Sequence, residues 1–122
     1  MAFGARAKMP VGGLGVSVAA EGEGTVVCLR RDADICTLPA IVRVLAEVTA
    51  NRTGNVVVDL SETEFIDTAA LRSVLRARAT LASEGRDLQL RAPSRTTRRA
   101  LALFGLSGIV SLDPDVLGVA AS

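Results

Sequence analysis

At 122 residues the chain is long enough for one domain that buries about two-thirds of its unfolded surface, with no disulfide or metal needed to hold it together. Apolar residues make up 49%, which excludes a disordered chain. Aromatics are only 2%, with no Trp or Tyr, so the core is built from Val, Leu, Ile and Ala. A net charge of +1 gives no bulk attraction to nucleic acid, and the scarcity of rings leaves no stacking platform for single strands.

Residues 1–13 are Gly-rich and aperiodic, which predicts a flexible tail ahead of one domain over 14–122. Val16 and Val18 alternate with smaller residues as in a first strand. Glu21 to Gly24 reads as a turn, and Thr25 to Arg30 as the second strand of a hairpin. Leu38, Ile41, Val42, Leu45 and Val48 have helical spacing, with Thr37 as N-cap. Val56 to Leu60 is a continuous apolar run, as in a strand buried on both faces. An acidic loop, Ser61 to Asp67, leads into a second helix that starts at Asp67-Thr68 and stops at Gly85.

Leu88, Leu90 and Ala92 alternate as a fourth strand. A third helix follows Pro93-Ser94, with Ala100, Leu101 and Phe104 expected toward the core and a Schellman ending at Gly105-Leu106. Its arginines, Arg95, Arg98 and Arg99 with Arg91 nearby, read as a solvated face. Ile109 to Leu112 is predicted as a final strand, and Asp113 to Asp115 leads into a brief terminal helix. The expected fold is α/β: a single mixed sheet of about five strands with helices packed against it.

No apolar run reaches the ~18 residues of a membrane span, and nothing resembles a secretory signal. The reading is a cytoplasmic protein with no membrane insertion. Cys28 and Cys36 read as two buried thiols, a redox pair being the alternative. With no His, no Cys cluster and no phosphate-binding Gly-Lys-Ser or Gly-Lys-Thr loop, neither metal, cofactor nor enzymatic activity is expected. What remains is the end of the buried strand. It delivers Asp67 and Thr68 to a helix N-terminus, where free N–H groups and a partial positive charge favour phosphate beside a hydroxyl. Asp67 or Thr68 acting only as a helix cap is the simpler alternative.

The run Phe65-Ile66-Asp67-Thr68-Ala69-Ala70-Leu71 resembles the signature of STAS domains, in particular the anti-sigma factor antagonists. Asp32-Ala33-Asp34-Ile35, Val56 to Leu60, Gly85, Pro93-Ser94 through Arg99, and Phe104-Gly105-Leu106 resemble further family segments in the same order, over about Leu14 to Leu117. The resemblance implies a STAS-like fold and a binding switch. Such a protein binds a GHKL-type anti-sigma factor kinase and frees a sigma factor. Phosphorylation on the hydroxyl after the signature Asp, here Thr68, ends the complex, and a phosphatase restores it. The implied partner surface comprises Asp34, Asp59, Glu64, Asp67, Thr68, Ala69, Ala70 and Arg72, on a monomer or weak homodimer. Thr68 stands for the usual Ser, Ala69 for a second hydroxyl, Ala70 for Gly, and Arg31-Asp32 for Gly-Glu. The alternative role is a non-phosphorylated accessory subunit of a lipid-transport ATPase complex.

Overall fold

A computed structural model of the chain describes residues 9–10, 15–30, 38–64 and 66–110. In order they form β1 (Met9–Pro10), β2 (Val16–Glu21), β3 (Gly24–Arg30), α1 (Leu38–Asn51), β4 (Val56–Glu62), α2 (Thr68–Ala82), β5 (Leu88–Arg91) and α3 (Arg95–Leu103), then a 3-10 turn, Ser107–Ile109. The strands make one sheet in chain order. β1, β2 and β3 pair antiparallel, whereas β3, β4 and β5 pair parallel.

Alternation of side chains across each strand sets the layers. Val16 and Val18 of β2, Val27 and Leu29 of β3, Val56, Val58 and Leu60 of β4, and Leu88 and Leu90 of β5 form one core with Ile41, Val44, Leu45 and Val48 of α1 and Val74 and Leu81 of α2. On the opposite side of the sheet Val26 and Val57 form a separate buried pair. Val57 and Val58 are both fully buried. That explains why β4 reads as an unbroken apolar run.

The joint between α1 and β4 is pinned from three directions. Arg86 donates to Thr49 O, Arg52 O and Gly54 O, satisfying carbonyls that the end of α1 leaves open. Thr25 N donates to Asn55 O, and Asp87 N to Asn55 Oδ1. Gly54 has φ +84, and a Cβ there would collide with the carbonyl oxygen of Glu23 in the hairpin turn. Only glycine takes this backbone shape at so close an approach.

Three expectations are corrected. Met9–Pro10, inside the expected tail, pairs with Ser17 and Val18. Ile109 lies in a 3-10 turn, and of the expected last strand only Val110 makes a bridge, parallel to Leu90. Ser111, Leu112 and the expected terminal helix lie outside the described residues, as do Thr37 and Cys36. Phe104 does not face the core: it is 68% exposed. It is the C-cap of α3, and Leu106, turned back by Gly105 with its amide on Leu101 O, packs on the core instead.

Candidate functional site

Because β3, β4 and β5 run parallel, their C-terminal ends share one edge of the sheet. Ligands and partners of open α/β sheets meet that kind of edge. The chain leaves β4 there and turns into α2. Thr63 N donates to Leu60 O at 3.0 Å, and the buried Thr63 hydroxyl donates to Leu29 O of β3 at 2.6 Å. Ser94, the N-cap of α3, donates its hydroxyl to Glu64 O at 2.6 Å. Ile66 is buried against the core. The loop is thus tied to β3, to α3 and to the interior before it reaches the helix.

Asp67 is the N-cap of α2: its backbone is extended and its Oδ1 accepts from Ala70 N at 2.9 Å. Thr68, the first residue of the helix, is exposed beside half-buried Ala69. The corner therefore presents a hydroxyl next to a carboxylate that is already engaged with the helix. The Thr63 bond spans 34 residues of sequence and is the tie that fixes the loop on β3. Thr63→Val keeps the shape and leaves Leu29 O without this donor. It is expected to lose about 1–3 kcal/mol in urea unfolding; a loss within error would mean that the tie contributes little.

The expected partner residues do not all lie on this surface. Glu64 and Arg72 are exposed and Asp67 is half-buried. Ala70 is fully buried in the core, so its side chain offers nothing to a visiting protein. Asp34 lies outside the described residues. Asp59 is 15% exposed and points to the sheet face away from α1 and α2, where Oδ2 accepts from Arg91 at 2.9 Å and Oδ1 from Ser61 N at 2.8 Å. Arg91 also holds Glu21 of β2 at 3.0 Å. Asp59 is an anchor between strands, and Arg91, read from sequence as part of a solvated stripe, is its partner. The signal available was register: two opposite charges at facing positions of neighbouring strands.

Burial works to raise the Asp59 carboxyl, but the Ser61 amide and hydroxyl and the Arg91 guanidinium outweigh it and hold it below the usual carboxylate range. Burial likewise opposes the charged form of Arg91, and its bonds to Asp59 and Glu21 push its pKa up regardless. A carboxyl lowered on folding stabilises the fold above its unfolded pKa, and that contribution fades as pH falls through the folded value. Asp59→Asn is therefore expected to cost about 1 kcal/mol at neutral pH, modest because Arg91 is partly solvated. The gap between variant and parent should close below about pH 4. Urea unfolding at neutral and acid pH checks it; a gap that widens in acid would reverse the assignment.

Other site features escape sequence reading altogether. Ala92 sits at φ +56, an unusual conformation for a residue with a Cβ, at the corner that brings Ser94 to the loop. Among the described residues no group of three or more potential ligands could hold a metal, and no helix is long and apolar enough to cross a membrane.

Comparison with known proteins returns one family model, described as Mlab, STAS domain, which matches residues 16–112. Among curated proteins none matches this chain. Among solved structures, an anti-sigma factor antagonist from Mycobacterium paratuberculosis is 26% identical, with a TM-score of 0.73 over 88% of this chain and 93% of its own. The anti-sigma factor antagonist SpoIIAA in its unphosphorylated form is 17% identical, with a TM-score of 0.69 over 79% of this chain and 85% of its own. The Bacillus cell fate determinant SpoIIAA in its phosphorylated form is 18% identical, with a TM-score of 0.65 over 79% and 88%. At such identities the two SpoIIAA structures speak to the fold.

Proposed function

Because the chain belongs to the STAS-domain family described by that model, we propose that it is an anti-sigma factor antagonist. In this reading it binds a kinase-type anti-sigma factor through the β4–α2 corner and is released when Thr68 is phosphorylated. The observation that carries the reading is the exposed Thr68 hydroxyl at the first position of α2, beside a carboxylate that caps the same helix. The γ-phosphoryl of ATP moves to Thr68 Oγ1, the hydroxyl proton leaves and ADP departs. The new dianion is tolerated by the helix N-terminus and repelled by Asp67. The fold survives and the surface changes, as a switch requires. That one relative has been seen both with and without phosphate supports this mode.

Copurification from the native host tests the reading, with intact mass measured before and after ATP. A GHKL-type kinase in the complex and a single added phosphate are expected. An unchanged mass in the presence of that kinase and ATP would remove the switch. The apolar Ala69 beside Thr68, where a second hydroxyl is usual, favours a second reading: an accessory subunit that docks on a lipid-transport ATPase without phosphorylation. ATPase or permease subunits in place of the kinase would select it.

A further inference from the structure

Helix α3 turns its most apolar end to water. Leu103 is 85% exposed and Phe104 68%, although Phe104 is the only phenylalanine whose side chain lies among the described residues. The fold does not need them there, because Leu101 and Leu106 supply the core contacts at this end. Arg95, Arg99 and Leu103 recur every four residues, so they share one side of the helix, with Arg98 alongside. All three arginines are exposed, and none meets a carboxylate among the described residues. Among the described residues, cations without an acidic partner and large exposed apolar side chains thus stand together on one helix.

We propose that the C-terminal end of α3 is a reversible docking surface for an anionic phospholipid bilayer. Leu103 and Phe104 enter the boundary of the acyl chains while Arg98 and Arg99, about one turn back along the helix, lie among the headgroup phosphates. The charge sign sets the choice: Arg98 and Arg99, which meet no carboxylate among the described residues, select a negative surface, and a bilayer accepts an exposed apolar helix end without needing a matching pocket. A stable protein interface takes roughly 800 Å² of matched surface from each partner, whereas a fluid bilayer needs no matched surface. A second copy of the chain fits poorly. Its open apolar groove, about 320 Å³ between Val42, Ala46 and Ala50 of α1 and Ser73 and Ala77 of α2, carries Arg76 in its wall. An arginine-flanked tip would meet like charge there. The acidic loop adds an orientation. Glu62 and Glu64 are exposed, and Glu64 is held beside the start of α3 by Ser94, so a negative bilayer pushes that end away and the apolar end leads.

The test is cosedimentation of the full chain with vesicles of phosphatidylcholine alone and of phosphatidylcholine mixed with phosphatidylglycerol, at low and high salt. Binding is expected only to the anionic vesicles and is expected to weaken with salt. Arg98→Gln and Arg99→Gln should each lower partitioning about fivefold. The double variant Leu103→Ser with Phe104→Ser should lower it at least tenfold. Its thermal unfolding should match the parent, because both side chains are already in water. Equal binding to neutral vesicles, undiminished binding by the double variant, or no binding to anionic vesicles at low salt would each overturn the proposal. Capture of an acidic soluble protein in the last case would assign the patch to a protein partner instead.

Discussion

A Thr68→Ala variant is expected to keep hold of its kinase partner when ATP is added, where the parent lets go. The parent's loss on phosphorylation should amount to ~3 kcal/mol, more than a hundredfold in affinity, because nearly two negative charges appear in the middle of a contact surface. The variant lacks the acceptor oxygen, so nothing changes when ATP arrives. Its stability should stay within about 0.5 kcal/mol of the parent, since Thr68 is exposed and Asp67 makes the cap. Thr68→Glu supplies one charge on a longer stem, and its binding should fall by about tenfold, short of the phosphorylated protein. Titration of labelled kinase with each form, with and without ATP, measures all three. Release of the alanine variant by ATP would show that Thr68 is not the switch.

Gly54→Ala is expected to be the most damaging single-methyl change in the fold, at about 3–5 kcal/mol. A left-handed backbone costs roughly 1–2 kcal/mol for a residue with a Cβ. The larger part is steric, because the added carbon meets a backbone oxygen of Glu23 and cannot be relieved by rotating a side chain. Moving the turn would disturb the Arg86 bond to Gly54 O and the Thr25 bond to Asn55 O together. Gly85 and Gly105 provide the control. Each has a similar φ, +75 and +72, with nothing near the position a Cβ would take. Alanine at either should cost only the conformational part, about 1–2 kcal/mol. Since small domains hold about 5–15 kcal/mol in all, urea unfolding should separate the three variants clearly. Equal losses at the three sites would mean that contact with Glu23 adds nothing to the cost.

Local signals made most of the frame legible. Leu38, Ile41, Leu45 and Val48 repeat at the helical period because one face of α1 must reach the sheet, and the helix runs Leu38–Asn51 as that pattern implies. Asp67 before an apolar helix reads as a cap, and it is one. The apolar run at Val56 reads as a doubly buried strand because both sheet faces are covered at β4. What escaped was decided at long range. Met9–Pro10 is a strand only because β2 lies beside it. Ile109-Val110 has strand-like composition, yet a 3-10 turn takes Ile109 and leaves Val110 a single bridge. Asp59 looks like a free acid near a switch until Arg91, 32 residues further on, is seen to face it. Thr63 and Ser94 are ordinary loop hydroxyls in sequence, and only the fold shows that they fasten the corner.

The outer strands of the sheet also bear on how the molecule survives crowding. At one margin the last strand is two residues long, and Pro10 has no amide hydrogen to offer a newcomer. At the other, β5 is only four residues and Val110 already occupies a position beside Leu90. Among the described residues, a neighbouring polypeptide that tried to extend the ribbon would find few donors in line on either side, which gives fibril-like polymerisation little template there. Among the described residues, the broad surfaces left for association are those of the helices and loops.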